Sequence, residues 1–316
     1  MQRSFYDIII IGADLPALIY GAVCAKKGFR VLLVGNGSLP NNYRIEDMPM
    51  VRAQNLFWGL QSSSVISETF KELILTSEMR TLPEPMSPFA HVILPDRRME
   101  LTSLKGIFEQ EIRREFTDAA SIFEFYNLIP QLDEHISPVI APDLALPPSS
   151  IMEFYNYFKR SKPLKPLLKE GAGFEPSRKF EDKKPFMSYL TAPMSFMSGI
   201  RYEAMPVVPF VKLTSGLMKG FYRIESGIDT LKSLFVGKIR TNSGDCYLKE
   251  SVDSVGFRRG GTMEVEIRGR EGSYGCKMIV CGTGAGKFLG LIPPGNEKRK
   301  FSRKILDRKP THYNIL

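Results

Sequence analysis

Cysteine and histidine are scarce in this chain of 316 residues, which has four of the first and three of the second. Cys24, Cys246, Cys276 and Cys281 show no CxxC spacing, and His91, His135 and His312 lie far apart. Neither a zinc site nor a disulfide framework is expected from such a set, and unpatterned cysteines suit a reducing compartment. No uninterrupted apolar run of about 20 residues occurs, so a membrane-spanning helix is not expected. The most apolar stretch, from Ile8, is broken early by Asp14 and Pro16. No signal-peptide pattern opens the sequence, and the expected location is cytoplasmic, with peripheral membrane contact as an extension. There is no G-x-S-x-G, and no histidine stands in a hydrolase pattern with Ser, Cys or Asp. Internal repeats and low-complexity tracts are absent too.

The composition, 43% hydrophobic and 24% charged, is that of an ordinary folded protein. The length suits two domains better than one core. Net charge is +9, and much of the excess sits in two clusters, Lys159 through Lys169 and Lys298 through Lys309. Neither carries interleaved aromatics or a nucleic-acid motif, so no specific nucleic-acid partner is expected. A solvated basic face is the plain reading, and contact with a membrane surface is the other.

The opening segment carries the strongest pattern. Tyr6 to Ile11 is a β-branched run ended by Gly12, which reads as a buried parallel strand. Leu15 to Lys27 follows as a helix, with lysines in its last turn and Gly28 as its stop. Arg30 to Val34 is a second strand, closed by Gly35-Asn36-Gly37. Strand, helix and strand in about thirty residues make a right-handed βαβ unit.

The turn after the first strand is Gly12-Ala13-Asp14-Leu15-Pro16-Ala17, to be set against G-x-G-x-x-G. In that fingerprint the first glycine makes the tight turn and the second lets the backbone approach a pyrophosphate. The third packs helix on strand, and the helix N-terminus holds the anion. Gly12 is kept, Ala17 is a small substitute, and Asp14 replaces the second glycine. Two residues ahead of Pro16, Asp14 is placed to cap the helix with its carboxylate, taking the amides a phosphate would use. The acid that binds ribose hydroxyls at the end of the second strand is missing, since Gly35 follows Val34. Gly282 to Lys287 is not a phosphate-binding loop, because Cys281 stands where its first glycine should be and Phe288 where Ser or Thr should be. It reads instead as a glycine-rich exit from a strand.

Further along, the spacing predicts helices over Ser64–Met79, Ser103–Tyr126 and Ile151–Lys169, and a hairpin of His91–Leu94 with Met99–Leu101 around a basic tip. Residues 130–150 read as proline-rich and irregular, and 171–184 as a loop. Phe186–Met218 is apolar and methionine-rich, suited to a core or to an apolar tunnel. A helix over Ile228–Arg240 and strands over Cys246–Gly256, Thr262–Ile267 and Ser273–Cys281 complete the pattern.

These parts together resemble the FAD-dependent amine oxidase and phytoene desaturase superfamily. The likeness rests on Tyr6–Val34, on the hairpin His91–Leu101, on Arg223–Leu231, which is similar to the family's "GG-x-x-x-L" helix start, and on the passage from Ser243 to Cys281. The resemblance implies an α/β fold: an FAD/NAD(P)-binding Rossmann-like domain over 1–85 and 220–292, with an inserted α+β substrate-type domain over 86–219 that 293–316 continues. It implies FAD as cofactor and an apolar small-molecule substrate whose hydride passes to the flavin, so that no catalytic side chain need be visible. By position it places Gly12, Ala13, Asp14, Leu15 and Ala17 at the pyrophosphate. Gly35, Asn36 and Arg44 fall near the adenosine ribose, and the backbone of Val252 at the adenine. The family's second glycine-rich motif does not appear in these residues, which implies a truncated product, a partner chain that completes the flavin site, or a protein that has abandoned redox chemistry. The Rab GDP-dissociation inhibitors resemble the same fold with a degraded fingerprint and bind lipidated proteins without oxidising them. A cofactor-poor binding protein, or one part of a hetero-oligomer, is therefore the second expectation.

Overall fold

The computed structural model describes residues 5–37, 41–52, 56–60, 63–140, 148, 150–162, 176–201, 205–225, 227–258 and 261–293. Pro40, Ser226, the lysines from 165 to 169 and the basic cluster from Lys298 lie outside them. The chain opens with β1 (Phe5–Ile11), α1 (Leu15–Lys26) and β2 (Val31–Val34). Next come β3 (Asn42–Ile45), β4 (Met48–Val51), β5 (Phe57–Trp58), α2 (Ser64–Glu72), α3 (Thr76–Thr81), β6 (Pro83–Met86), β7 (Ala90–Leu94) and β8 (Arg97–Leu101). A helical stretch follows: α4 (Lys105–Glu115), α5 (Ala119–Ile136), α6 (Ile151–Ser161), α7 (Pro176–Lys179), α8 (Lys184–Ser198) and α9 (Val207–Lys219). The rest is β9 (Phe221–Ile224), α10 (Ile228–Thr241), β10 (Asp245–Tyr247), β11 (Val252–Phe257), β12 (Met263–Ile267), β13 (Ser273–Cys281) and α11 (Ala285–Leu289).

Two compact units result. The first is Met1–Asn55, Lys71–Leu75 and Ile224–Leu316; the second is Leu56–Phe70 and Thr76–Arg223. The first unit is an α/β domain on a six-stranded sheet in the order β10-β2-β1-β13-β12-β11. β10, β2, β1 and β13 run parallel, while β12 and β11 return antiparallel. Ile9, Ile10, Ile11 and the whole of β2 are buried, as strands covered on both faces must be. Helix α1 packs against α10, where a Cβ on Gly21 would meet side chains of Ile10 and Ile239 at 2.9 and 3.1 Å.

The second unit is mixed α+β. Its core gathers Phe125, Phe180, Phe186, Tyr189, Phe210 and their neighbours from α5, α7, α8 and α9. The rings of Phe125, Phe180 and Phe186 meet edge to face, the arrangement that aromatic quadrupoles favour.

Five sequence expectations need correction here. The strand expected over Cys246–Gly256 is two, β10 and β11, which lie at opposite edges of the sheet. The helix predicted over 64–79 is two, because Ile74 takes a left-handed φ of 55° between α2 and α3. The one predicted over 103–126 is also two, α4 and α5, with Asp118 starting α5 by accepting the Ser121 amide at 3.2 Å. The segment read as irregular from Pro130 is helical to Ile136. Ile122, Phe125, Ile129, Leu132 and Ile136 are all buried on α5, and that burial outweighs the roughly 3 kcal/mol an interior proline costs. Finally, the loop predicted over 171–184 contains the short helix α7, whose neighbour Phe180 is fully buried.

Candidate functional site

Two places have the shape of a binding site, one in each unit. In the first unit the turn after β1 is fixed by backbone. Gly12 has φ of 114°, and its amide donates to Val34 O at 2.8 Å. A Cβ on Gly12 would lie 2.7 Å from Gly282 C and O, and one on Gly282 would lie 2.6 Å from Ala17 Cβ. Gly12, Ala17 and Gly282 thus share one close contact, in which Ala17 does the packing of the fingerprint's third glycine. Ala13 is buried and Leu15 half-buried.

Asp14 departs from its expected role. It occupies the N-cap position of α1, and its carbonyl accepts the Leu18 amide at 3.0 Å, but its side chain makes no capping hydrogen bond and is exposed. Its extended backbone, with ψ of 157°, satisfies the first turn through the carbonyl alone. The carboxylate therefore stands in solvent at the helix N-terminus, where it still brings negative charge to the place a phosphate would take.

Gly35, Asn36 and Val252 lie together and are bonded to their own chain. The Gly35 amide donates to Tyr247 O at 2.8 Å. A Cβ there would lie 1.9 Å from Leu248 O, so no side chain, acidic or otherwise, fits at 35. The Asn36 amide donates to Glu250 O at 2.9 Å, and Asn36 Oδ1 accepts the Val252 amide at 3.0 Å. Asn36 holds this pose with φ of 50°, a region asparagine tolerates better than most residues. Val252 is buried. Arg44 is not brought to this cluster; it lies in the β3–β4 hairpin and donates to Asp47 O at 2.8 Å.

Beside the turn lies a cleft of ≈ 470 Å³, lined among others by Ala13, Leu18, Asp229, Lys232, Arg240 and Lys249. Three cations face one carboxylate there. Asp229 is spoken for, since its oxygens accept the amides of Asn41 at 3.0 Å and Asn42 at 3.4 Å, with Lys232 at 4.0 Å. Sequence reasoning missed Asp229, because nothing local signals that it ties a helix start to a loop 187 residues earlier. Burial pushes the thiols of Cys246 and Cys276 up to about 11, which favours their protonated form at neutral pH.

The second unit holds a cavity of ≈ 520 Å³ between α4, α5, α8, α9 and the end of β8. Phe89, Phe108, Phe123, Tyr126, Tyr189 and Leu217 form its apolar walls, while Thr102, Asn127 and Thr214 and the charged Lys105, Glu109 and Arg113 line the rest. Burial holds the Tyr126 and Tyr189 phenols well above their ordinary range, so they remain neutral hydrogen-bonding groups. Pro130 and Pro193 also line it, each inside a helix. A proline gives no N–H to the carbonyl four residues earlier, which here belongs to Tyr126 and to Tyr189. Each tyrosine carbonyl thus loses its usual helical donor beside the cavity. The methionine-rich stretch divides its labour: Met218 lines the cavity, while Met194 is buried in the core. Among the described residues no cluster of His, Cys, Asp and Glu could hold a metal ion, and no helix is long and apolar enough to cross a membrane.

No protein-family model matches this chain, and no curated protein sequence matches it. Solved structures do. The fold is similar to that of an oxidoreductase from Methanosarcina mazei, at 12% identity and a TM-score of 0.55, over 96% of this chain and 66% of that one. It is similar to putrescine oxidase bound to putrescine, at 12% identity and 0.53, over 94% of this chain and 62% of that one. It is also similar to RAB GDI from Plasmodium falciparum, at 12% identity and 0.50, over 92% and 67%. The chain spans less than two thirds of the first two of these. Likeness at this identity establishes the fold, an α/β architecture of the Rossmann-like kind.

Proposed function

We propose that this Rossmann-like protein is a cofactor-poor member of the amine oxidase-like fold that binds an apolar small molecule and does no flavin chemistry. The observation that carries the reading is the hydrogen bond from the Val252 amide to Asn36 Oδ1 at 3.0 Å. In the flavin-binding reading these two positions meet the adenosine half of FAD; here each is the other's partner. Leu248 O beside Gly35 removes the room for a ribose-binding acid, and Asp14 sets a charge against the pyrophosphate. The residues present therefore do not fit FAD at this end, and no step is routed through it. The cavity of ≈ 520 Å³ in the second unit supplies the binding function, being in the size range of small-molecule sites, with an aromatic wall for the apolar body of a ligand and Lys105, Glu109 and Arg113 for a polar end.

Two measurements on the purified protein test this. Added FAD at micromolar concentration should leave the flavin spectrum that of the free cofactor. N-phenyl-1-naphthylamine, a fluorescent apolar probe, should bind with one site and lose that site in Leu217→Trp, which fills the cavity. A yellow protein that takes up FAD stoichiometrically would overturn the reading. It would favour instead an FAD-linked oxidoreductase acting on an apolar substrate, with Lys232, Arg240 and Lys249 around the phosphates.

A further inference from the structure

Helix α6 has no buried residue at all. Ile151 is 93% exposed, Phe154 61%, Tyr155 62% and Phe158 50%. Those four stand at i, i+3, i+4 and i+7, the spacing of a single helix face. A globular protein ordinarily turns such a stripe into its core. Here the side toward the second unit's core carries Tyr157 instead, and the stripe faces outward with Met152 at its flank.

The helix is well specified despite this. Ser150 and Glu153 close a capping box, with the Glu153 amide donating to Ser150 Oγ and the Ser150 amide to Glu153 Oε2, both at 3.2 Å. That engagement removes the helix's one acid from the apolar face. Lys159 lies one turn beyond Tyr155, and Lys162 one turn beyond Phe158, both exposed. Aliphatic, aromatic and lysine side chains thus alternate along one outward face, with no carboxylate among them.

This pattern selects its partner. The aromatic rings suit the headgroup depth of a bilayer, and the lysine stems reach from an apolar layer to phosphates. A second copy of the same face would offer the lysines no carboxylate, whereas anionic lipid offers them phosphate throughout. Eleven residues rise about 16 Å, too short to cross a bilayer but long enough to lie in its surface. We infer that α6 docks this protein on an anionic membrane surface, lying in the headgroup plane with Ile151, Phe154, Tyr155 and Phe158 inserted. The inference is independent of what fills the cavity in the same unit.

Co-sedimentation of the full chain with vesicles tests it. The chain should sediment with vesicles of equimolar phosphatidylcholine and phosphatidylglycerol, weakly with phosphatidylcholine alone, and less as salt is raised. Lys159→Gln and Lys162→Gln should each weaken partitioning by about fivefold. Phe154→Glu with Tyr155→Glu should weaken it by at least about tenfold. Circular dichroism and the melting curve of that double variant should match the wild type, since both side chains are exposed. Three results would each overturn the proposal: no sedimentation with either vesicle; equal sedimentation of the double variant; or a wild-type dimer in gel filtration that the double variant turns into a monomer, which would make the face a contact between copies.

Discussion

The two units treat their concave places in opposite ways. In the first, the edge where the parallel strands end is closed by backbone: Gly35 against Leu248, Asn36 to Glu250 and Val252, Gly12 against Gly282. In the second, four helices stop short of one another and leave a cavity beside two interior prolines and two tyrosines. The first unit keeps the architecture of a nucleotide-binding sheet while spending its contact groups on itself. The second keeps a hollow that close packing would ordinarily fill. A fold can therefore persist while its site is reassigned, because sheet topology is held by burial and a site by a few groups left free.

The comparison can be broken or sharpened by substitution. The largest effect is expected in the second unit's polar anchor. Asp133 is buried, meets Lys212 at 2.6 Å and Lys219 at 2.9 Å, and accepts Ser215 Oγ at 2.7 Å. Burial opposes its ionisation, but the hydrogen bonds from Lys212, Ser215 and Lys219 outweigh it and hold the carboxyl below its usual range. Asp133→Ala should cost about 3 kcal/mol in urea unfolding, toward the lower end for a buried pair because both lysines are partly exposed. A carboxyl whose folded pKa is lowered stabilises above its unfolded value. The wild type should therefore lose this contribution as pH falls below about 4, and the variant should show a flatter acid limb.

Next comes Gly35→Ala, expected to cost about 2 kcal/mol, since its Cβ would meet a carbonyl rather than a yielding side chain. If Gly35→Ala proved neutral, the closed edge would be less tight than its geometry says. Asn36→Ala should cost about 1–2 kcal/mol, through a lost hydrogen bond and a left-handed φ that alanine resists. The smallest effect belongs to Asp14→Ala, expected within about 0.5 kcal/mol because no capping bond is lost. A loss near 1 kcal/mol in thermal unfolding would show that the carboxylate caps the helix in solution after all.

How much of this was legible from the sequence depends on the range of the interaction. The βαβ unit was, because β-branched runs, a glycine stop and a helix of about three turns are local facts. β12 and β13 were legible for the same reason, but the one strand read over Cys246–Gly256 is two, because β10 joins β2 at one edge of the sheet and β11 joins β12 at the other. Asp14 misled because residue type and position favour a cap, while the rotamer decides whether one forms. Gly35 read as a missing acid; its actual constraint is a carbonyl from Leu248, visible only once β10 lies beside β2. Pro130 read as a break, yet the apolar face on both sides of it carries α5 through. Of the cavity only one wall was legible, in the stretch Phe186–Met218 that suited a core or an apolar tunnel; the others come from three segments between Phe89 and Pro130.

The pairing of β1 with β13 sets a schedule for folding. Phe5 lies opposite Gly275, and Ile11 opposite Cys281, so the sheet's central strand waits for a partner about 270 residues later. At ribosomal speed the wait is on the order of tens of seconds. Through that interval Ile8 to Ile11 form an apolar strand with one edge unmet, the kind of surface that captures neighbouring chains. The newborn protein is therefore most exposed to aggregation before β13 arrives, and a chaperone that covers β1 would protect it more than one acting later.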